Sequence, residues 1–197
     1  MTKINRIALD LDDVLNSCTM YLLHVLGCDV GPFDYDKYPD VGYDMVGAWS
    51  ELTGRPKVDV GTFWEWISRR IWEDMPKSKQ FWLIYAAEQA VGKDNVIIAT
   101  SPTKSPDCLF GKYQWIEKHT PSWCHRQYSI TPRKNWLAQP GVLLIDDCDG
   151  NCDAFRKEGG DAILVPRPWN TLSALSSQVD DFLHNELEER QWGNPFM

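Results

Sequence analysis

A short apolar segment near the start of the chain ends abruptly in carboxylates. The apolar residues 7–9 are followed within four positions by three acidic side chains, Asp10, Asp12 and Asp13. Such a run is typical of a strand buried on both faces of a parallel sheet, and open α/β sheets bind ligands at the carboxyl ends of these strands. Because burying like charges together is costly, we expect a cation here, and Mg²⁺ is a hard ion that binds carboxylate oxygens. The alternative is an acidic turn that caps the helix beginning near Ser17.

Two later segments repeat this arrangement of an apolar run that ends in polar residues. The run Val-Ile-Ile-Ala precedes Thr100 and Ser101, and the run Val-Leu-Leu-Ile precedes Asp146 and Asp147. Each pair on its own is equally well explained as a helix cap or a turn. In a parallel sheet, however, all carboxyl ends lie along one edge, so these side chains are expected to converge with Asp10. Their convergence favours a catalytic site.

The alternation of strands and helices predicts an α/β fold, a three-layer doubly wound parallel sheet. Residues 17–76 interrupt the alternation, because Gly, Pro, Asp and Tyr are interleaved from 28 to 61 and an aromatic-rich helix is predicted over 62–72. We predict that this segment is a small, mainly helical cap inserted after the first strand, and that residues 1–16 and 77–197 form the core. Helices are predicted over residues 17–26, 78–91, 108–119, 151–158 and 172–189, and further strands over 127–130 and 162–165.

Composition and charge restrict the partners of the chain. The net charge of −8 offers no basic stripe for the phosphates of duplex nucleic acid, which we therefore do not expect as a partner. No apolar run is long enough to span a bilayer, so no membrane contact is expected. The first strand begins too close to Met1 for a signal peptide, and the six cysteines include no Cys-x-x-Cys pair. We expect a cytoplasmic protein that binds a small molecule, and we leave a homodimer open.

The order of the polar residues resembles the motifs of the haloacid dehalogenase (HAD) superfamily. Residues 10–14 match its first motif, Asp-x-Asp-x-Val, while Thr100, Lys134 and the pair 146–147 match the second, third and fourth. Within the superfamily the chain is most similar to the 5'(3')-deoxyribonucleotidases. The segments that carry this similarity are residues 99–102 (Ala-Thr-Ser-Pro), 112–119, 130–134 and 143–147.

This resemblance implies a HAD-like Rossmannoid core and a set of catalytic roles. Asp10 is expected to be the nucleophile that forms an aspartyl-phosphate, and Asp12 the general acid/base. Thr100, with Ser101 beside it, is expected to hold phosphoryl oxygens. Lys134 is expected to bridge the nucleophile and the phosphoryl group as a point charge.

The resemblance also implies the metal ligands and a choice of lysine. Mg²⁺ is expected to bind Asp10, the main-chain carbonyl of Asp12, and the acidic pair Asp146 and Asp147. The third motif selects Lys134, but Lys104 and Lys112 are rival lysines. For all three, the alternative is a solvated lysine at the surface. We expect the loss of Lys112 to be mild.

The aromatic content suggests a nucleotide as the substrate. Ten tryptophans are many for this length, and bases stack on such side chains. We assign substrate binding to Trp72, Trp64, Trp66 and Cys18, with Trp72 as the platform; the alternative is that the tryptophans pack the cap. The resulting prediction is a Mg²⁺-dependent phosphatase that hydrolyses (deoxy)nucleoside monophosphates. The alternatives are a phosphatase for another small metabolite, such as a sugar phosphate, and a non-catalytic metal-binding module.

Overall fold

A parallel sheet of five strands forms the centre of the computed structural model, which describes residues 3–190. The first strand is central, since Ile7 pairs with Val96 on one side and with Leu143 on the other. All neighbouring strands run parallel, so their carboxyl ends share one edge. The strands are β1 (Arg6–Leu9), β2 (Val96–Thr100), β3 (Tyr128–Ile130), β4 (Val142–Asp146) and β5 (Asp161–Leu164), in the spatial order β3-β2-β1-β4-β5.

Successive side chains of the central strands pack on opposite faces of the sheet. Ile7 and Leu9 belong to one apolar cluster and Ala8 to another, and Leu143 and Leu144 divide between the same two clusters. This is the period of two that a β-strand imposes. Both faces are therefore covered, which confirms the predicted doubly wound α/β sheet.

Helices cover both faces of this sheet. The bounds are α1 (Cys18–Val25), α2 (Met45–Thr53), α3 (Val60–Glu65), α4 (Arg69–Glu73), α5 (Leu83–Val91), α6 (Pro106–His119), α7 (Asp149–Lys157) and α8 (Val179–Glu189). Side chains from α5, α6 and α8 join the cluster that contains Leu9, while Phe155 of α7 joins the one that contains Ala8. None of the helices within residues 3–190 is long and apolar enough to cross a bilayer.

Three helices differ from the predicted bounds. The single helix predicted over 62–72 is wrong, because Ser68 is extended (φ −67°, ψ 159°) and caps a separate helix, α4. The predicted helix over 78–91 begins as a 3₁₀ turn and is α-helical only from Leu83. The predicted helix over 172–189 is regular only from Val179, because Gln178 is non-helical (φ −124°, ψ 31°). A non-helical residue interrupts the apolar pattern in the first and last cases, and a 3₁₀ turn replaces the first α-helical turn in the second.

The segment predicted as the cap packs in two different ways. Its first part has an apolar cluster of its own, which includes Met20, Trp49 and Phe63. Its last part, from Ile67 onwards, joins the cluster around the sheet and packs on α6. There Gly111 provides the close approach, because a Cβ at that position would lie 2.3 Å from the Cβ of Trp72. The boundaries of the cap stay a prediction.

Candidate active site

Hydrogen bonds at Asp10 and at Asp13 fix the loop that follows β1. The main-chain N–H of Asp10 donates to the carbonyl of Ile145 (2.9 Å), which extends the β1–β4 pairing by one residue. Asp13 has a φ of +56°, and its carboxylate accepts hydrogen bonds from the N–H and the hydroxyl of Thr19. The buried Arg167 donates from Nε (2.9 Å) and Nη2 (2.6 Å) to the carbonyl of Asp13. These contacts fix the direction in which Asp10 and the residues after it point.

Lys134 joins the first and fourth motifs. It begins a short 3₁₀ segment that follows β3, and its side chain is buried. Its Nζ lies 2.6 Å from Oδ1 of Asp10 and 2.6 Å from Oδ2 of Asp146. Of the three candidate lysines, Lys134 is the one with this position, which is the position that the third motif implies.

Three buried carboxylates form an acidic cluster next to Lys134. One oxygen from each of Asp10, Asp146 and Asp147 lies within 4.8 Å of the others. Asn151 and a main-chain N–H support Asp146, and the indole Nε1 of Trp169 donates to Asp147 over 2.7 Å. Within residues 3–190, the ammonium of Lys134 pairs with Asp10 and Asp146 and no ion pair involves Asp147, so the cluster keeps an excess of negative charge. Hard oxygen donors with excess negative charge suit a divalent cation such as Mg²⁺.

Lys112 forms a second ion pair in the site. The alternative of a solvated surface lysine does not hold for Lys112, which is only 1% exposed, so a mild effect of its loss is no longer expected. Its Nζ donates to Oδ2 of Asp12 (2.5 Å), to Oγ1 of Thr100 (2.9 Å) and to the carbonyl of Ser101 (2.5 Å). The other oxygen of Asp12 accepts from Asn16 (3.2 Å). The two catalytic candidates of the first motif, Asp10 and Asp12, are thus paired with different lysines.

Helical periodicity indicates the inward position of Lys112. It lies four residues after Cys108 and four before Ile116, and both of these are fully buried on α6. Residues spaced by four share one face of an α-helix. A lysine in the middle of an apolar helical face was therefore the signal in the sequence.

The edge that carries these groups opens into a cavity of about 400 Å³. We call it the aromatic cavity, because five aromatic residues form much of its wall. Asp10, Asp12, Lys112 and Lys134 lie at its polar end, together with Ser101. The aromatic residues that line it are Tyr38, Tyr43, Trp64, Trp72 and Trp169.

The predicted substrate-binding residues divide between this cavity and the cap. Cys18, Trp64 and Trp72 line the cavity, whereas Trp66 lies outside it and packs on Trp49 with ring centroids 5.2 Å apart. Trp72 is only 2% exposed, since Trp64 stacks on it at 5.9 Å with an interplanar angle of 21°. Trp64, which is partly exposed, therefore presents the more accessible indole face, and Trp72 supports it from behind.

Comparisons with known proteins identify the fold. No family model and no curated protein matches the chain. Among solved structures, a HAD family hydrolase from Deinococcus radiodurans R1, with bound phosphate and sodium, is similar over 98% of both chains, with 12% identity and a TM-score of 0.58. The chain has a HAD-like fold. A haloacid dehalogenase-like hydrolase from Xanthomonas campestris matches over 92% of this chain and 98% of its own, with 14% identity and a TM-score of 0.49.

Burial changes the proton affinity of this HAD-like site. Burial raises the pKa of Asp10 from 3.8 to about 7, although the nearby charge of Lys134 opposes the shift. Burial also raises the pKa of Asp13 to about 6 and that of Asp147 well above its ordinary value. Burial alone lowers the pKa of Lys134, but the carboxylates of Asp10 and Asp146 outweigh it, so the net shift is upward. The lysine is charged, whereas Asp10, Asp13 and Asp147, with their raised pKa values, resist ionisation without a further cation.

We expect the metal-free protein to lose stability as the pH rises from about 4 to about 7. Asp10 has a pKa of about 7 in the folded state and 3.8 as its ordinary value, so the folded protein holds more protons than the unfolded one in this window. Stability falls with rising pH wherever the folded state binds more protons. Mg²⁺ binds the ionised carboxylates, so its stabilising effect grows with pH. Thermal denaturation in EDTA and in Mg²⁺, at about pH 5 and about pH 7.5, measures both effects.

Two variants serve as controls for this measurement. Asp147→Asn removes one carboxylate of the acidic cluster, so it flattens the pH dependence and reduces the Mg²⁺ effect. Asp153→Asn removes a surface carboxylate whose side chain is 77% exposed, and it leaves both effects unchanged. A melting temperature in EDTA that rises over this pH window, or a Mg²⁺ effect independent of pH, contradicts the assignment of the acidic cluster.

Proposed function

We propose that the protein is a Mg²⁺-dependent phosphatase that hydrolyses (deoxy)nucleoside monophosphates through an aspartyl-phosphate on Asp10. The observation that carries the proposal is the separate pairing of two carboxylates in one loop. Asp10 contacts Lys134 and Asp12 contacts Lys112, at 2.6 and 2.5 Å. Neighbouring carboxylates in different environments can take different roles in one reaction. The roles required here are those of a nucleophile and of a general acid/base.

The hydrogen bonds of Asp10 identify the attacking atom. Its Oδ1 accepts from the main-chain N–H of Leu11 (2.7 Å) and contacts Lys134, whereas no donor within residues 3–190 is hydrogen-bonded to Oδ2. Oδ2 thus keeps its lone pairs available and attacks phosphorus as the bond to the leaving oxygen breaks. The electron pair of that bond goes to the leaving alkoxide, which takes a proton from Asp12.

The second half of the reaction reverses the role of Asp12. Asp12 accepts a proton from a water molecule, whose oxygen attacks the phosphorus of the aspartyl-phosphate. The bond between phosphorus and Oδ2 of Asp10 breaks, which releases inorganic phosphate and regenerates the carboxylate. Thr100 and main-chain N–H groups beyond Leu11, whose own N–H already donates to Asp10, hold the remaining phosphoryl oxygens in our proposal, with Ser101 at the cavity wall.

The chemistry of the acidic cluster fits the metal that this reaction requires. Asp10, Asp146 and Asp147, with the main-chain carbonyl of Asp12, are the residues that hold it in our proposal. When bound, Mg²⁺ supplies positive charge that neutralises the phosphoryl oxygens. Lys134 alone does not balance the cluster, since its ammonium is already shared between Asp10 and Asp146.

The walls of the aromatic cavity favour a neutral, flat leaving group. Both lysines that line it, Lys112 and Lys134, are already paired with carboxylates, so neither is free for a second phosphate. Trp64 offers a partly exposed face for stacking. Trp72 lines the cavity, and its indole Nε1 is buried with no hydrogen-bond partner among residues 3–190. These features support a nucleoside monophosphate over a bisphosphate or a plain sugar phosphate.

Phosphate release tests the activity. We expect Mg²⁺-dependent release from deoxynucleoside and nucleoside monophosphates, with EDTA abolishing it, and a loss of several orders of magnitude in Asp10→Asn because no nucleophile remains. Asp153→Asn is the matched surface control. Preference for sugar phosphates in the same panel favours the alternative phosphatase. Full activity in EDTA contradicts the metal, and no release from any substrate leaves a non-catalytic metal-binding module.

Substitutions of the tryptophans test the nucleotide. Stacking is worth ~1–3 kcal/mol per base, so Trp64→Ala raises the KM for a nucleoside monophosphate by about ten- to hundredfold. A small aryl phosphate, which does not reach Trp64, keeps its KM. Trp72→Phe keeps an aromatic ring behind Trp64 but removes the unpaired Nε1, which separates stacking from hydrogen bonding.

Trp66→Ala is the matched control for these variants, because Trp66 belongs to the same segment but lies outside the cavity. It leaves both Michaelis constants unchanged. If Trp64→Ala and Trp72→Phe affect the two substrates alike, while their melting temperatures show that they fold, the nucleotide assignment fails.

A further inference from the structure

Lys112 has a place in the site to which the proposed reaction assigns no role. We propose that Lys112 is a positioning residue, which holds Asp12 in the geometry of a general acid/base. This inference rests on the proposed function, since it concerns a step of the same reaction. It is carried by the contacts of the ammonium and by the way α6 places it.

The ammonium of Lys112 has no proton left for a substrate. A lysine carries three donor protons, and Nζ meets three acceptors: Oδ2 of Asp12, Oγ1 of Thr100 and the carbonyl of Ser101. Their distances are 2.5, 2.9 and 2.5 Å. Lys112 therefore lines the aromatic cavity but acts through its protein partners rather than by binding phosphate itself.

These contacts constrain both partners. Oδ2 of Asp12 is held by Lys112 and Oδ1 by Asn16, so the carboxylate has little freedom to rotate, although its side chain is 23% exposed. A hydroxyl has one donor proton and two acceptor sites. Because Thr100 accepts from Lys112, its own proton points away from the ammonium.

The packing of α6 makes Lys112 a rigid support. The preceding residue, Gly111, lies directly against Trp72, so the helix backbone cannot shift toward or away from α4. The ammonium lies 5.3 Å from the ring centroid of Trp72, within the range of a cation–π contact. Lys112 is thus fixed at its backbone and along its side chain, as precise positioning of a catalytic group requires.

The two lysines then have separable functions. Lys134 contacts the nucleophile, so its loss affects every substrate. Lys112 contacts Asp12, so its loss affects the step in which Asp12 protonates the leaving oxygen. An alkoxide needs that proton and an aryl oxide does not, because the aryl oxide is a much weaker base. The ratio of the two rates therefore reports the role of Lys112 and is insensitive to a general loss of structure.

The decisive experiment measures leaving-group release in a single turnover, which excludes the later hydrolysis of the aspartyl-phosphate. General acid catalysis contributes ~10²–10⁴-fold, so Lys112→Met is expected to slow release of a nucleoside from its monophosphate by about tenfold or more. Release from an aryl phosphate stays within about twofold in the same variant. Lys112→Arg, which keeps the charge and the donors, partly restores the nucleoside rate. Lys118→Met on the exposed side of the same helix is the matched control.

A double-variant cycle tests whether Lys112 acts through Asp12. In an Asp12→Asn background, Lys112→Met is expected to cause no more than about a twofold further loss, because interacting residues are not additive. If Lys112→Met does not fold, Lys112→Gln, which keeps a polar donor, replaces it in the cycle. Equal losses for both leaving groups, or full additivity with Asp12→Asn, overturn this inference while leaving the phosphatase intact. No release by the wild-type protein and by Lys118→Met overturns the phosphatase as well.

Discussion

The structure depends on the burial of several carboxylates at one edge of a parallel sheet, which two lysines partly neutralise. Asp10 and Asp146 share the ammonium of Lys134, and Asp12 holds that of Lys112. An unpaired buried charge is strongly destabilising, so the lysines and carboxylates require one another. Burial raises the pKa of Asp10 to about 7 even though the nearby charge of Lys134 opposes the shift. This excess of buried carboxylate over positive charge is what makes the site suited to a divalent cation.

The rest of the fold brings these charges together and shields them. Strand pairing fixes the position of Asp10 and Asp146, because β1 and β4 are neighbours with Leu9 opposite Ile145. Trp169 reaches back from beyond β5 to Asp147 and also joins the apolar cluster of the cap segment, so it connects the acidic cluster to the cavity wall. Stability and function therefore depend on the same contacts in this region.

Much of this arrangement follows from the sequence, and the remainder depends on contacts between distant residues. The apolar runs and their polar ends predict the sheet and the convergence of Asp10 with Asp146, because strand periodicity is local. The burial of Lys112 is also encoded locally, in the apolar face of α6. Because a lysine is rarely buried, this helical spacing is easily overlooked in the sequence. The helix after the break at Ser68 contacts a distant helix, because Asp107 of α6 accepts a hydrogen bond from the N–H of Arg69. Trp64 stacks on Trp72 across two separate helices, and no local pattern reveals either contact.

We propose that Asp10 becomes covalently phosphorylated, and trapping the aspartyl-phosphate is the most direct test. Wild-type protein is mixed with Mg²⁺ and a radiolabelled aryl phosphate, whose leaving group needs no proton from Asp12, then quenched in acid within one turnover and digested for mass spectrometry. We expect the label on the peptide that contains Asp10. Asp12→Asn should carry more label because hydrolysis of the intermediate is slowed, and Asp10→Asn should carry none. Turnover of substrate without labelled protein, or label on a peptide that lacks Asp10, contradicts the account.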